Sequence, residues 1–420
     1  MPLRQPIRSQ AALAVSLFLA LAAHETTRAD SPSFDCPSKS NCPTTDEKAW
    51  ELPQPALFDR LGIASGGWVE TGITMNAHGR SDGFNGPVLL NDSAGEFQMN
   101  QLWFYLDRPV ETGGCGYDFG GRIDVVYGTD GRIVQSPGLE ARINSVRQAH
   151  ALVLAQFYVE AGIDDLTIKA GRFGHILGYE TAFPTVDFFY SKPYSLTTCE
   201  PWLLTGAAAT WNASDQWSFN AGFHRGYCMF EDVNNKLDLL LGAEWNSSGE
   251  LTRLSWRGTI GPQDAAGESN RVVYALTLQH DVNERWRVAT IHFFGHEDNT
   301  GPGGRNAQWG GVGQYFLRTI NSRWSAGVRT EWCRDDSGTR FAGLGHVCPS
   351  GGWPGGPGFI GDFTTLTLGL NYRPHANVTL RPEARWDWYT GTRDNDANLP
   401  FDAGRSARQF LLATDLVVTF

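Results

Sequence analysis

Past residue 60 the chain alternates apolar and polar positions with a repeat of two. From Tyr117 to Gly128, Tyr117, Phe119, Gly121, Ile123, Val125 and Tyr127 interleave with Asp118, Gly120, Arg122, Asp124, Val126 and Gly128. That period places one set on each face of a strand, one face greasy and the other wet. Similar runs recur near 67–76, 97–107, 151–161, 166–173, 202–211, 217–226, 237–245, 251–260, 271–280, 286–295, 309–319, 324–332, 362–372, 378–389 and 410–420, which with 117–128 makes sixteen. The predicted class is all-β.

The connections between these runs fall into two kinds. Those after the even runs are short, at 108–116, 162–165, 212–216, 246–250, 281–285, 320–323 and 373–377. Those after the odd runs are mostly long, at 77–96, 129–150, 174–201, 333–361 and 390–409, with 227–236, 261–270 and 296–308 intermediate. An even number of antiparallel strands of about 10 residues, with short turns at one end and long loops at the other, predicts a transmembrane up-and-down β-barrel. Closure removes the sticky edges that so many strands would otherwise expose. Tryptophans mark the short-turn end: Trp211 and Trp217 flank 212–216, Trp245 precedes 246–250, and Trp286 and Trp324 follow the next two turns. Amphipathic rings in those places suit an interfacial girdle.

Both chain ends carry further signals. Arg4 and Arg8 precede an apolar run from Ala11 to Ala23, the length of a signal-peptide core and too short to span a bilayer as a helix. Residues 1–29 are therefore predicted to be an export signal, with cleavage before Asp30 or near Ala20–Ala22. Residues 30–61, with Pro32, Pro37, Pro43, Pro53 and Pro55, predict a periplasmic linker, and 62–420 the barrel. In the last strand Phe410, Leu412, Thr414, Leu416, Val418 and the terminal Phe420 share a face, like the signal that bacterial barrel assembly machinery recognises.

Composition narrows the alternatives. Charged residues are 19% of the 420 and mean hydropathy is -0.30, too polar for a bundle of membrane helices. A net charge of -11 with no basic run excludes nucleic acid as a partner. His292 and His296 lie four apart on a strand, which separates them more widely than a helix face would, and neither a Gly-x-Ser-x-Gly elbow nor a phosphate loop occurs. No catalytic, cofactor or metal site is predicted.

From Gly66 to Tyr227 the chain resembles the OmpL-like putative β-barrel porins. The resemblance rests on Gly67-Trp68-Val69-Glu70, Asn100-Gln101-Leu102, Gly121-Arg122-Ile123-Asp124 and Tyr127-Gly128-Thr129-Asp130. It continues with Gly171-Arg172-Phe173, Leu177-Gly178-Tyr179-Glu180, Phe188-Phe189-Tyr190-Ser191, Glu200-Pro201 and Thr205-Gly206. It implies passive diffusion of small hydrophilic solutes or ions through a barrel in the outer membrane, and supplies no catalytic or ligand residues.

The wet faces nominate Arg122, Asp124, Glu160, Lys169, Glu244, Arg329, Glu331, Arg381, Glu383, Arg385 and Asp387 as pore-lining. A Lys or Arg on the lipid face at mid-membrane costs about 2–4 kcal/mol, so such rows must face water. The third long loop, 174–201, is too rich in Tyr and Phe to lie free in solvent and is predicted to fold into the bore, with Glu180 and Asp187 facing Arg122, Arg329 and Arg385. Seven cysteines in an exported chain predict disulfides, Cys199 to Cys228 and Cys333 to Cys348, with Cys115 near a short turn and only Cys36 or Cys42 for a mate. Outer-membrane lipids, barrel assembly machinery and small solutes are the expected partners, and porin analogy adds a homotrimer. A second reading is a barrel whose outer loops bind a surface glycan or other ligand through Trp353 and the Gly-rich seventh loop.

Overall fold

The computed structural model describes residues 48–77, 83–144, 149–174, 177–341, 358–391 and 399–420, without the side chains of residues 198 and 199. The signal segment, Cys36, Cys42, Cys348 and Trp353 lie outside the described residues.

Sixteen antiparallel strands close on themselves: β1 (Ala64–Asn76), β2 (Phe97–Arg108), β3 (Tyr117–Gly128), β4 (Ala151–Ile163), β5 (Leu166–Gly174), β6 (Leu203–Asn212), β7 (Trp217–His224), β8 (Asp238–Asn246), β9 (Thr252–Pro262), β10 (Asn270–Asn283), β11 (Trp286–Gly301), β12 (Arg305–Thr319), β13 (Trp324–Asp335), β14 (Gly361–His375), β15 (Val378–Gly391) and β16 (Arg408–Thr419). Each strand pairs with its sequence neighbours, and β1 pairs with β16 from Trp68↔Thr419 to Asn76↔Leu411. Short helices α1 (Ala56–Leu61), α2 (Gly131–Val134) and α3 (Tyr194–Cys199) lie outside the ladder.

The expected strands match within a few residues, with one correction. The stretch 296–308 is not a loop: β11 and β12 run through it, pairing Glu297↔Ala307 and Gly301↔Arg305 around a tight turn at Pro302–Gly304. The apolar alternation fades there because a strand pair that projects beyond the bilayer keeps its hydrogen-bond ladder without needing a greasy face.

Burial is inside-out. On β3, Phe119, Ile123 and Tyr127 are exposed while Asp124 is fully buried; on β15, Leu380 and Trp388 are exposed while Arg381, Glu383, Arg385 and Asp387 are buried. Greasy side chains point out to hydrocarbon and ionisable ones into the barrel. At the short-turn end Trp211, Trp286 and Trp324 are exposed, Trp217 stands opposite Trp245, and Trp324 stacks on Tyr372 at 4.5 Å. The segment before α1 also docks at that end: Trp50 stacks on His375 at 4.3 Å, and its backbone N–H donates to Asn377 Oδ1.

Candidate functional site: the third loop inside the barrel

The connection between β5 and β6 is the longest described segment without strand structure, and its contacts fall on inward-facing side chains. Three wall glycines make room for it. A Cβ on Gly72 would sit 2.6 Å from the Tyr190 ring, on Gly327 2.5 Å from Phe188, and on Gly369 2.9 Å from Phe189. Those distances exclude a side chain while the loop is in place.

The alternating row on β15 reads the loop backbone in order. Arg381 donates to the carbonyls of Pro184 and Asp187, both at 2.9 Å. Two residues on, Glu383 accepts the Tyr190 and Ser191 N–H groups, each at 3.1 Å. Arg385 follows, donating to the Lys192 carbonyl at 2.8 Å, and Asp387 accepts the Tyr194 hydroxyl at 3.1 Å. A strand presents same-face side chains about 6.6 Å apart, near the repeat of an extended chain lying alongside. On β13, Arg329 pairs with Glu180 at 2.9 Å and donates to the Ser191 carbonyl at 2.7 Å. Beside it Glu331 caps α3, accepting Tyr194 N–H at 2.8 Å and Ser195 N–H at 3.2 Å, two donors that a helix N-terminus leaves without intrahelical partners.

The opposite flank rests on β1 and β2. Asn100 accepts the Tyr190 hydroxyl at 3.0 Å, and Gln101 donates to the Ala182 carbonyl and to Asp130, both at 2.8 Å. Trp68 and Trp103 stack at 4.8 Å, with the edge of Phe183 against both. At the loop's base Glu200 accepts the N–H groups of Leu177 and Gly178, both at 2.9 Å. Burial pushes its carboxyl up to about 8 despite those bonds. Burial likewise raises Asp187 to about 6, opposed by the Lys192 ammonium 2.6 Å away.

Two expectations need correction. Asp187 does not face Arg122, Arg329 or Arg385: its carboxylate pairs with Lys192 of its own loop, while Arg122 pairs with Asp107 and Asp124 on the far wall. Nor is the inward face wet throughout. Inward-facing Ile291, Phe293, Tyr315 and Phe363 join Leu177, Phe189 and Tyr194 in one apolar cluster, which the loop covers. The signal missed was in the quoted motifs themselves, because Glu70, Asn100, Gln101, Asp130 and Glu200 all turn out buried. Glu70 and Asp415 together hold the Arg381 guanidinium.

The nominated residues thus divide. Arg329, Glu331, Arg381, Glu383, Arg385 and Asp387 grip the loop. Arg122, Asp124, Glu160, Lys169 and Glu244 lie on the wall from β3 to β8, where Arg122, Glu160, Lys169 and Glu244 are half-buried while Asp124, and Arg172 paired with Glu140, are buried. Arg122 and Asp107 pair at 3.1 Å with 12% and 27% of their side chains exposed, and Arg257 and Glu244 at 2.7 Å with 17% and 13%. Lys169 stands opposite Glu160 in register, its ammonium 5.5 Å from the Tyr158 ring centre. Asp124 is fully buried, accepting from Trp103 Nε1, Arg122 and Gln156. Among the cysteines, Cys228 and Cys333 are buried, and Cys115 is an exposed thiol.

A family model described as putative beta-barrel porin-2, OmpL-like, matches residues 62–420. No curated protein matches the chain. Among solved structures, the outer membrane channel DcaP of Acinetobacter baumannii is similar with a TM-score of 0.56 at 10% identity, over 89% of this chain and 99% of that one. The anion-selective porin from Comamonas acidovorans gives 0.55 at 8% identity, over 85% and 99%. The trimer form of the Vibrio cholerae outer membrane protein OmpT gives 0.56 at 8%, over 85% and 99%. At such identities the likeness is one of fold.

Proposed function

We propose, from the premise that this chain belongs to the OmpL-like putative beta-barrel porin-2 family, that it is a water-filled outer-membrane channel for passive diffusion of small hydrophilic solutes or ions. In this reading the third loop narrows the bore from one side and leaves a passage along the facing wall. The observation that carries it is the contrast between the two walls. Arg329 and Glu331 on β13 and the row from Arg381 to Asp387 on β15 are buried against the loop, whereas the Arg122–Asp107 and Arg257–Glu244 pairs on β2, β3, β8 and β9 keep part of their surface in water. Charged groups that keep partial hydration along a bore, in a surround of low dielectric, orient and filter polar solutes.

Single-channel recording in planar bilayers tests the reading. The purified protein should conduct, and deleting Phe183 to Tyr190 should raise the unitary conductance. An intact barrel without conductance would sink the channel, and a deletion that leaves conductance unchanged would remove the narrowing loop. Pairing of Cys228 with Cys199 and of Cys333 with Cys348 belongs to the same reading, as cross-links of the outer loops. A homotrimer is proposed on likeness to a barrel solved in trimer form, and native mass measurement in detergent checks it.

A further inference from the structure

Apart from the contacts of the third loop, the long-loop end holds a second, half-open space. It is a cavity of about 570 Å³ between the β7–β8, β9–β10, β11–β12 and β13–β14 connections. That volume lies in the range of sites for small organic ligands, roughly 300–1,000 Å³. Its lining includes Arg225, Arg271 and Arg340 and a single carboxylate, Glu297, with Gln263 and Thr300 among the neutral polar groups. This is a basic pocket on a chain of net charge -11.

The one carboxylate is already matched. Arg271 Nε and Nη2 each donate to Glu297 at 2.9 Å in a two-pronged pair, and the guanidinium lies 4.8 Å above the Tyr227 ring. Held from two sides, Arg271 is fixed in place, and its Nη1 makes no hydrogen bond among the described residues. Arg340 lies over the Trp309 ring at 5.0 Å. Arg225 is exposed, with Nη1 tied to the Phe230 carbonyl at 2.9 Å and its other guanidinium nitrogens without partners among the described residues. Behind the pocket Asp335 accepts four backbone N–H groups, from Ser337, Gly338, Arg340 and Phe341, and Asp238 is buried with Oδ2 accepting from the lining residue Gln263.

We infer that this cavity is a capture site for a small hydroxylated carboxylate at the channel mouth. Guanidinium groups fixed on a ring or by a carboxylate lose little freedom when they take an anion and present paired donors that suit a carboxylate. Neutral polar groups around them suit hydroxyls. The site is built from the loops and from the ends of β10 and β11 at the long-loop side, so its binding is measured separately from conduction through the barrel.

Calorimetric titration of the purified full chain in detergent at low ionic strength, with gluconate as probe and sorbitol as its uncharged counterpart, tests the proposal. Gluconate should bind and sorbitol should not. Arg225→Gln should weaken gluconate about tenfold, the loss of one charge-assisted contact. Glu297→Gln, which frees Arg271, should tighten it. Retained heat-sensitive gel migration of both variants shows that the barrel is intact. Absence of gluconate binding, equal binding of sorbitol, or affinities unmoved in both variants would overturn the site.

Discussion

Glu200 ties the start of the third loop to its end, and its charge is the sensitive variable. Its carboxyl is pushed to about 8 by burial, and Asp187 to about 6. Both lie above the ordinary carboxylate range of about 4. A carboxyl raised in the folded state stabilises it most below the unfolded value, and that contribution is lost as pH climbs through the folded value. Between about pH 4.5 and 8 the protein should therefore lose thermal stability, because over that range the unfolded chain has released the Glu200 proton that the folded protein keeps, and the loss should level off above about pH 8. Glu200→Gln, which keeps an acceptor but cannot ionise, should flatten the profile in a thermal melt of detergent-folded protein. A wild-type profile already flat over that range would contradict the assignment. The sequence placed Glu200 in a family motif without a role, because nothing in its neighbours says that Leu177 and Gly178 fold back on it. Glu180 was legible as a partner of wall arginine, and Asp187 was not: its mate Lys192 is five residues away in a loop whose turn has no repeat to read.

At the scale of elements, strands were the readable part because a membrane forces the alternation: one face meets hydrocarbon and the other does not. The same logic located the row Arg381, Glu383, Arg385 and Asp387 on the inner face but could not say what fills that face. An alternating charged row in a bore can meet water or a backbone, since an extended chain offers carbonyls and N–H groups at a similar spacing. Here it meets the backbone. Glu331 and Glu383 between them accept four N–H groups, those of Tyr190, Ser191, Tyr194 and Ser195. Hydrogen bonds to charged acceptors contribute about 1.5–3 kcal/mol each. Replacing both glutamates by alanine should release the segment, and amide exchange at those four positions should quicken about a hundredfold or more, since about 1.4 kcal/mol corresponds to a factor of ten. Exchange that stays slow would mean that the aromatic rings over Gly72, Gly327 and Gly369 hold the loop without the ladder.

The whole molecule depends on a seam between residues far apart in sequence. β1 and β16 pair along nine residues from Trp68 to Asn76, and the ladder is finished by the terminal residue: Phe420 N–H donates to the Gly67 carbonyl and Gly67 N–H to the Phe420 carbonyl, both at 3.0 Å. Gly67 is required there, because a Cβ would stand 2.2 Å from the Trp103 carbonyl oxygen and 2.7 Å from the Phe420 ring. The strand count and the terminal Phe were legible in the sequence; this contact was not, because nothing local couples residue 67 to residue 420. Two roles for Phe420 can be separated, since a signal read by assembly machinery acts only in cells, whereas a seam contact acts in a test tube. Removing Phe420 loses two backbone hydrogen bonds of about 1 kcal/mol each and the packing of a half-buried ring, together roughly 2–4 kcal/mol. Deletion should therefore lower the unfolding free energy of protein refolded into detergent by that amount, Phe420→Tyr should restore it, and Gly67→Val should prevent closure. Unchanged stability of the refolded deletion variant, with loss of assembly in cells, would assign Phe420 to recognition alone.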